Sequence, residues 1–410
     1  MKLTREKILL YSHLGIITLV ILFFFSCKKS QPGDSQSVFF TKFFGSSGIN
    51  NAYDVKQTSD GGYLLLGSVS VPGKGLDVTL IKTDKFGNEE WSRLYGDSLN
   101  DEGKSFVINT DGTIVITGYS TSKNGAFVHT DVYVIKTDAS GILIWSSPKI
   151  IGTTNNEEGN CIKATTDNCY IITGLTTSAN TANLNVQGKK DILILKINSE
   201  GNVIWKNSRG GPEDDIGNFI LAKSDGGYVI IGTTESFTET GKEKSNIIIV
   251  ETNNLGFQND MKTYGGSEND FGETIQQTGD GGYIFCGTLG AEAGTSEAYI
   301  VKLKPSSIRN TEWEIKTEKA SFTESKAVFP TKDNTYFVTG TTGKNTNKDI
   351  FLLKLNSDGS TIFTSYFGEK QLDEMAYCVF QTNDDGCIIA GQNAYKMMTL
   401  IKTNKNGGQK

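Results

Sequence analysis

The stretch Ser59 to Trp91 decides the reading of this chain. It runs S-D-G-G-Y-L-L-L-G, then a loose polar segment, then D-V-T-L-I-K-T-D-K-F-G-N-E-E-W, and variants of it return to the C-terminus. The glycine that closes its first run recurs as Gly67, Gly118, Gly174, Gly232, Gly287, Gly340 and Gly391, at spacings of 51, 56, 58, 55, 53 and 51 residues. Seven copies at such a period signal a propeller or a solenoid.

Within one copy, Asp54 to Thr58 precedes the Ser59-Asp60-Gly61-Gly62 turn and Tyr63 to Leu66 follows it, which predicts a hairpin of strands A and B. Equivalent turns stand at Asp111-Gly112, Asp225-Gly226-Gly227, Asp280-Gly281-Gly282 and Asp385-Gly386. Asp167-Asn168 and Asp333-Asn334 replace them in repeats 3 and 6. Asparagine is the natural substitute for glycine at positive φ, so Asn168 and Asn334 are expected there. Next come apolar runs such as Val78 to Ile81, Ile192 to Leu195, Ile247 to Val250 and Ile350 to Leu353. Continuous apolar strands are covered on both faces, and these are strand C. A D/N-x-x-G turn follows, then an aromatic: Trp91, Trp145, Trp205 and Phe363 mark strand D. Four antiparallel strands per repeat predict an all-β fold, a seven-bladed β-propeller.

Repeat 7 stops at Gly407 without a strand D, whereas Phe39 to Phe44 stands alone before repeat 1 in the matching register. The N-terminal strand is therefore expected to close the last blade, which leaves the ring no open sheet edge.

The 410 residues carry a net charge of −6. Without the first 26 residues the balance falls to about −8, which disfavours nucleic acid as a partner. Lys2, Arg5 and Lys7 precede the short apolar run Leu14 to Phe25, and Ser26-Cys27 follows it. That is export-signal anatomy, with an apolar run too short for the roughly 20 residues of a membrane span. The ending resembles a bacterial lipoprotein signal, which implies lipidation at Cys27. The expected organisation is a signal peptide over 1–26, a polar tether over 27–37 and the propeller over 38–410. The expected address is the extracytoplasmic cell envelope, held through a lipid anchor at the outer membrane.

Y-G-G-S-x-x-D from Tyr264, D-G-G-Y-x-x-x-G from Asp225 and G-N-x-x-W from Gly201 resemble bacterial β-propeller repeats found in exported proteins and lipoproteins. The resemblance covers Phe39 to Gly407. It implies an exported propeller and carries no shared enzymatic signature.

Candidate site residues follow from topology. A-to-B and C-to-D turns share one face; the D-to-A and B-to-C connections share the other, where length varies and binding usually resides. The D-to-A segments carry Asp101, Glu102, Glu157, Glu158, Glu213, Asp214, Asp215, Glu268, Asp270, Asp373 and Glu374. These acids either form a cation or basic-ligand site, calcium being the one cofactor considered, or cap their own loops by accepting backbone N–H bonds. Tyr119, Phe127, Phe237 and Tyr395 lie in or beside the variable loops as candidate contacts for a protein or glycan ligand. The recurring Lys82, Lys136, Lys196, Lys302, Lys354 and Lys402, with Glu251 in repeat 4, read as an ion-pair position inside the blade. No catalytic residue is assigned. After Cys27 the chain has one histidine, His129, and three arginines, so a binding module is the first reading and a carboxylate-based glycoside hydrolase the second.

Overall fold

The computed structural model describes residues 38–45, 47–124, 127–177, 189–238, 244–292, 295–318, 322–344, 347–369 and 372–408. Cys27 and the apolar run before it lie outside the described residues, as do Lys319 and Ala320. Val38 to Lys410 forms one compact unit. Its strands make seven four-stranded antiparallel sheets arranged as a seven-bladed β-propeller. The innermost strands are β2 (Asn50–Gln57), β6 (Asp101–Ile108), β10 (Glu157–Ala164), β14 (Asp215–Ala222), β18 (Phe271–Gln277), β22 (Phe322–Pro330) and β26 (Met375–Gln381). Seven apolar clusters fill the seams, one between each pair of neighbouring blades. Strand C is buried along its whole length in β12 (Asp191–Ile197) and β28 (Met398–Thr403).

The repeated glycine has one physical cause. Every innermost strand carries a β-bulge at the same place, opposite that glycine on strand B. The bulge pushes a carbonyl into the space a side chain would need: a Cβ on Gly118 would overlap the oxygen of Glu102, and one on Gly232 that of Ile216. The backbone there has ordinary φ, so glycine is required by close approach and not by a left-handed turn. The extra residue of each bulge is turned toward the centre of the ring.

The turns behave as their residues dictate. Asn168 and Asn334 both sit at φ 58°. In blade 7 the register moves by one from the expected Asp385-Gly386: Asp385 itself takes φ 62°, and Asp384 is the acid that accepts the N–H of Gly386. The repeated lysine reaches the turn acid of its own blade. Lys302 is 2.7 Å from Asp280, Lys82 2.8 Å from Asp60 and Lys402 2.9 Å from Asp384. Where repeat 4 has Glu251, the partner is Lys223, so the pair survives with its charges exchanged. Lys136 is the departure: it donates to the backbone oxygen of Ser199 in the next blade. Blade 2 also departs at strand D, where only β9 (Lys149–Ile151) is regular and Trp145 lies outside it.

Ring closure occurs at the N-terminal strand. β1 (Phe40–Phe44) pairs antiparallel with β28, from Phe40 opposite Lys402 to Phe44 opposite Met398. The ring of Phe40 meets Tyr63 of blade 1 edge-on at 5.9 Å, and the Gln392 side chain donates to the Asn50 backbone oxygen at 3.0 Å. The expected start at Phe39 shifts by one residue. All five described cysteines are free thiols. Burial pushes Cys286, Cys378 and Cys387 up to about 12, which leaves them inert.

Candidate functional site: the central channel and the loop face

The bulged residues are Tyr53, Lys104, Asn160, Asn218, Glu273, Lys326 and Tyr377, one per blade, and all seven line a central cavity of about 360 Å³. Most are tied to a neighbour. Asn160 and Asn218 donate to the backbone oxygens of Gly217 and Gly272 in the next blade, at 3.1 and 2.7 Å. Tyr53 and Tyr377 pack with ring centroids 5.3 Å apart, and Lys326 is 2.7 Å from Glu273. Further along, Phe329 and Phe380 make a second aromatic pair at 4.6 Å. Lys163, 4.2 Å over the Phe219 ring, has no carboxylate partner among the described residues. The cavity therefore offers aromatic walls, amide edges and one uncompensated cation.

Toward the D-to-A end of this channel stand Glu102 and Glu158, in equivalent register on adjacent blades. Burial raises Glu102, but the charge and hydrogen bond of Lys104 and the hydroxyls of Tyr119 and Tyr53 outweigh it, so its carboxyl ends below the usual range. Glu158 accepts from the Thr130 hydroxyl at 3.3 Å, and burial outweighs that bond and the charges of Lys104 and Lys190 to leave it raised. Two neighbouring carboxyls are thus pushed in opposite directions.

The other acids divide according to which side of the strand they occupy. Asp101 accepts the N–H of Asp97 at 2.9 Å, Glu157 that of Thr153 at 2.8 Å, Asp215 that of Gly211 at 2.8 Å and Asp270 that of Gly266 at 2.6 Å. Glu374 makes a longer bond of 3.4 Å to the N–H of Glu369. Each is buried and caps its own loop. Opposite these caps stand acids that the sequence reading left out, each just before the buried apolar run of strand C. A Cβ on Gly96 would lie 2.5 Å from Asp77 and 2.8 Å from Asp101, so both carboxylates close on that glycine. Asp131 with Glu157 and Asp349 with Glu374 repeat the arrangement around Gly152 and Gly368. Burial raises Asp77, Asp101, Asp270 and Glu374. The sequence signal was present: an aspartate opens the apolar run of strand C at Asp77, Asp131, Asp191 and Asp349.

Glu213 and Asp214 leave the channel altogether and pair with Lys189 and Lys190 at 2.7 and 3.0 Å. Asp373 is exposed and accepts the N–H of Lys348, and Glu268 is half-buried on its loop. Among the described residues, no group of three or more His, Cys, Asp or Glu side chains is placed to hold a metal ion. The aromatic candidates also separate. Tyr119 is half-buried against Glu102, Phe237 packs on the seam between blades 3 and 4, Phe127 is 78% exposed beside the tip of its hairpin and Tyr395 is 65% exposed.

The sequence matches no protein-family model and no curated protein. Solved structures do resemble the fold. The Pan2 WD40 domain of Neurospora crassa is 10% identical with a TM-score of 0.52, over 89% of this chain and 96% of that one. A structure of YCF48 bound to D1 peptide is 11% identical with a TM-score of 0.50, over 92% and 98%. A Bacteroides caccae protein of unknown function is 12% identical with a TM-score of 0.43, over 78% and 94%. At these identities the likeness is one of fold, and that fold is the β-propeller.

Proposed function

We propose that this protein is a non-enzymatic binding module, lipid-anchored at Cys27 on the bacterial outer membrane and acting outside the cytoplasm. Residues 1–26 would be removed, 27–37 would serve as the tether and 38–410 would present the variable-loop face to a protein or glycan. The observation that carries the binding reading is the use of the loop acids: Asp101, Glu157, Asp215 and Asp270 are buried as caps, so the carboxylates that recur in the repeats serve the scaffold. Among the described residues the rim also carries exposed aromatic surface, Phe127 and Tyr395 above all. A peptide is one ligand class the fold serves, as in YCF48 bound to D1 peptide. Crosslinking of the anchored protein in its own envelope tests the reading. Phe127→Asp and Tyr395→Asp should each remove crosslinked species that the parent forms; identical patterns would overturn the loop-face assignment. The anchor is tested separately: Cys27→Ala should accumulate as precursor and take up no fatty-acid label, and equal labelling would reject lipidation.

A second reading rests on Glu102 and Glu158. Neighbouring carboxyls held apart in pKa are how a glycoside hydrolase divides acid from base. Hydrolysis of any polysaccharide that disappears in Glu158→Gln, with Glu102→Gln equally dead, would replace the binding reading with this one.

A further inference from the structure

The seam between blades 6 and 7 differs from the rest at one register position. The strand C residue opposite the repeated glycine is Tyr133 in blade 2, Leu193 in blade 3, Ile248 in blade 4, Tyr299 in blade 5 and Phe351 in blade 6. In blade 7 it is Thr399. Blade 1 also has threonine, Thr79, but there the Met398 side chain of blade 7 reaches in beside Gly67. Nothing equivalent fills the space at Thr399, and a groove of about 380 Å³ remains, within the size range of small-molecule sites. The B-to-C connection beside it, residues 393–397, is a tight turn closed by the Asn393 N–H on the Met397 oxygen at 3.0 Å. Among the described residues, no long hairpin rises from this connection over the opening.

The walls have a definite chemistry. Phe43, Tyr366 and Tyr395 line the groove while remaining 46%, 63% and 65% exposed. Beneath them lie two buried polar atoms without a hydrogen-bond partner, the Thr399 hydroxyl and Glu374 Oε2, in side chains only 2% and 6% exposed. Glu374 shares its position around Gly368 with Asp349, and among the described residues no lysine or arginine is paired with either. Buried acceptors without donors call for a group that brings N–H bonds, and an uncompensated carboxylate calls for positive charge. Aromatic faces at the rim attract the same kind of ion.

We propose that this groove binds an organic cation bearing N–H donors, an alkylammonium or guanidinium group, with Glu374 and Thr399 accepting its hydrogen bonds and Phe43, Tyr366 and Tyr395 enclosing its apolar flank. The site is separate from the channel, so its failure leaves the binding reading at Phe127 intact.

Calorimetry on the whole propeller decides it with n-butylammonium as the probe. Three comparison probes accompany it: 1-butanol as the neutral isostere, tetramethylammonium as a cation without donors, and a Gly-Gly-Arg-Gly-Gly peptide. Butylammonium should bind about tenfold or more tighter than either 1-butanol or tetramethylammonium. A stronger response to the peptide assigns the site to a protein side chain, and a weaker one assigns it to a free amine. Glu374→Gln should lose about tenfold in affinity, and Thr399→Tyr, which installs the residue blades 2 and 5 carry, should abolish binding. Tyr366→Ala alters only the exposed rim and should weaken binding with the melting temperature unchanged, so it decides even if Thr399→Tyr fails to fold. Equal binding of butylammonium and 1-butanol, or wild-type affinity in both Glu374→Gln and Tyr366→Ala, would overturn the proposal.

Discussion

The seam between blades 4 and 5 and the seam between blades 6 and 7 are built from the same repeat and end differently. Both have the bulged inner strand, the glycine behind it and the buried strand C. In the first, Tyr299 fills the space between the sheets, its ring 6.0 Å from Phe285 and its hydroxyl donating to Glu314 at 2.6 Å. In the second, Thr399 leaves a groove. The repeat therefore specifies the backbone through its glycine and bulge, while one side chain at one register decides whether a seam is packing or a site. Stability belongs to what the blades share, and recognition to where one of them departs.

The strongest way to break the comparison is to remove the strand that both closes the ring and walls the open seam. Deleting Val38 to Gly45 takes away β1, with Phe44 buried and Phe40 packed on Tyr63. Each fully buried aromatic is worth about 1.5 to 3 kcal/mol, so the loss should reach several kcal/mol and the unfolding transition should shift to lower denaturant. Equal midpoints and slopes for the two proteins would mean that the ring closes without this strand.

A smaller change would turn the closed seam into an open one. Tyr299→Thr places in blade 5 the residue that blade 7 carries, and should cost about 3 to 4 kcal/mol through lost burial and a new cavity. It also frees Glu314 from its phenol. A loss under about 1 kcal/mol would show that the seam collapses around the gap, and that Thr399 alone does not explain the groove.

The paired lysines sharpen the shared half of the comparison. At Asp60, Asp280 and Asp333 burial raises the carboxyl, yet hydrogen bonds outweigh it: from Lys82 and Thr58, from Lys302 and Thr278, and from Thr331 and Thr335. All three end at about 2 against a usual 3.8. A carboxyl whose folded value is depressed stabilises the protein above its unfolded value and loses that contribution as pH falls through the folded one. The denaturation midpoint should therefore drop between about pH 4 and pH 2. Lys302→Met should flatten that drop and cost only about 1 kcal/mol near neutrality, since Asp280 is half exposed. An unchanged slope through the window would separate Asp280 from its lysine.

Much of this was legible in the sequence because local chemistry demands it. Gly67 and its copies, Asn168 and Asn334 at their turns and the unassigned Phe39 to Phe44 each answer a backbone constraint visible in one chain. The bulges were not legible. A bulge adds a residue to one strand without changing residue types, so Tyr53, Lys104 and Glu273 read as ordinary strand positions until the pairing is known. The acids divide for a related reason. Asp101 and Glu102 are neighbours in sequence, but successive strand residues face opposite ways, and one caps a loop while the other turns to the channel. The groove escaped because it is made by a missing volume, and Thr399 is conspicuous only when laid against Tyr133, Tyr299 and Phe351 across the ring.

The smallest expected effect concerns calcium, and it bears on the acid pairs that every comparison of seams must account for. Calcium takes six to eight oxygen ligands, usually several of them carboxylates. Four of the seams offer two: Asp77 with Asp101, Asp131 with Glu157, Asp191 with Asp215, and Asp349 with Glu374. In each pair the cap already spends an oxygen on a backbone N–H, as Asp101 does on Asp97. Burial raises Asp77 and Asp101, which sets that pair against a divalent ion stripped of its water. Groups raised in this way contribute most stability below their unfolded pKa and lose it as pH rises through the folded one, opposite in sign to Asp60 and Asp280. Adding millimolar calcium, or a chelator, should therefore leave the melting temperature where it was at neutral pH. A rise with calcium that Asp77→Asn or Asp131→Asn removes would show instead that the seams hold the ion, and that the acids of the loop face act as ligands before they act as caps.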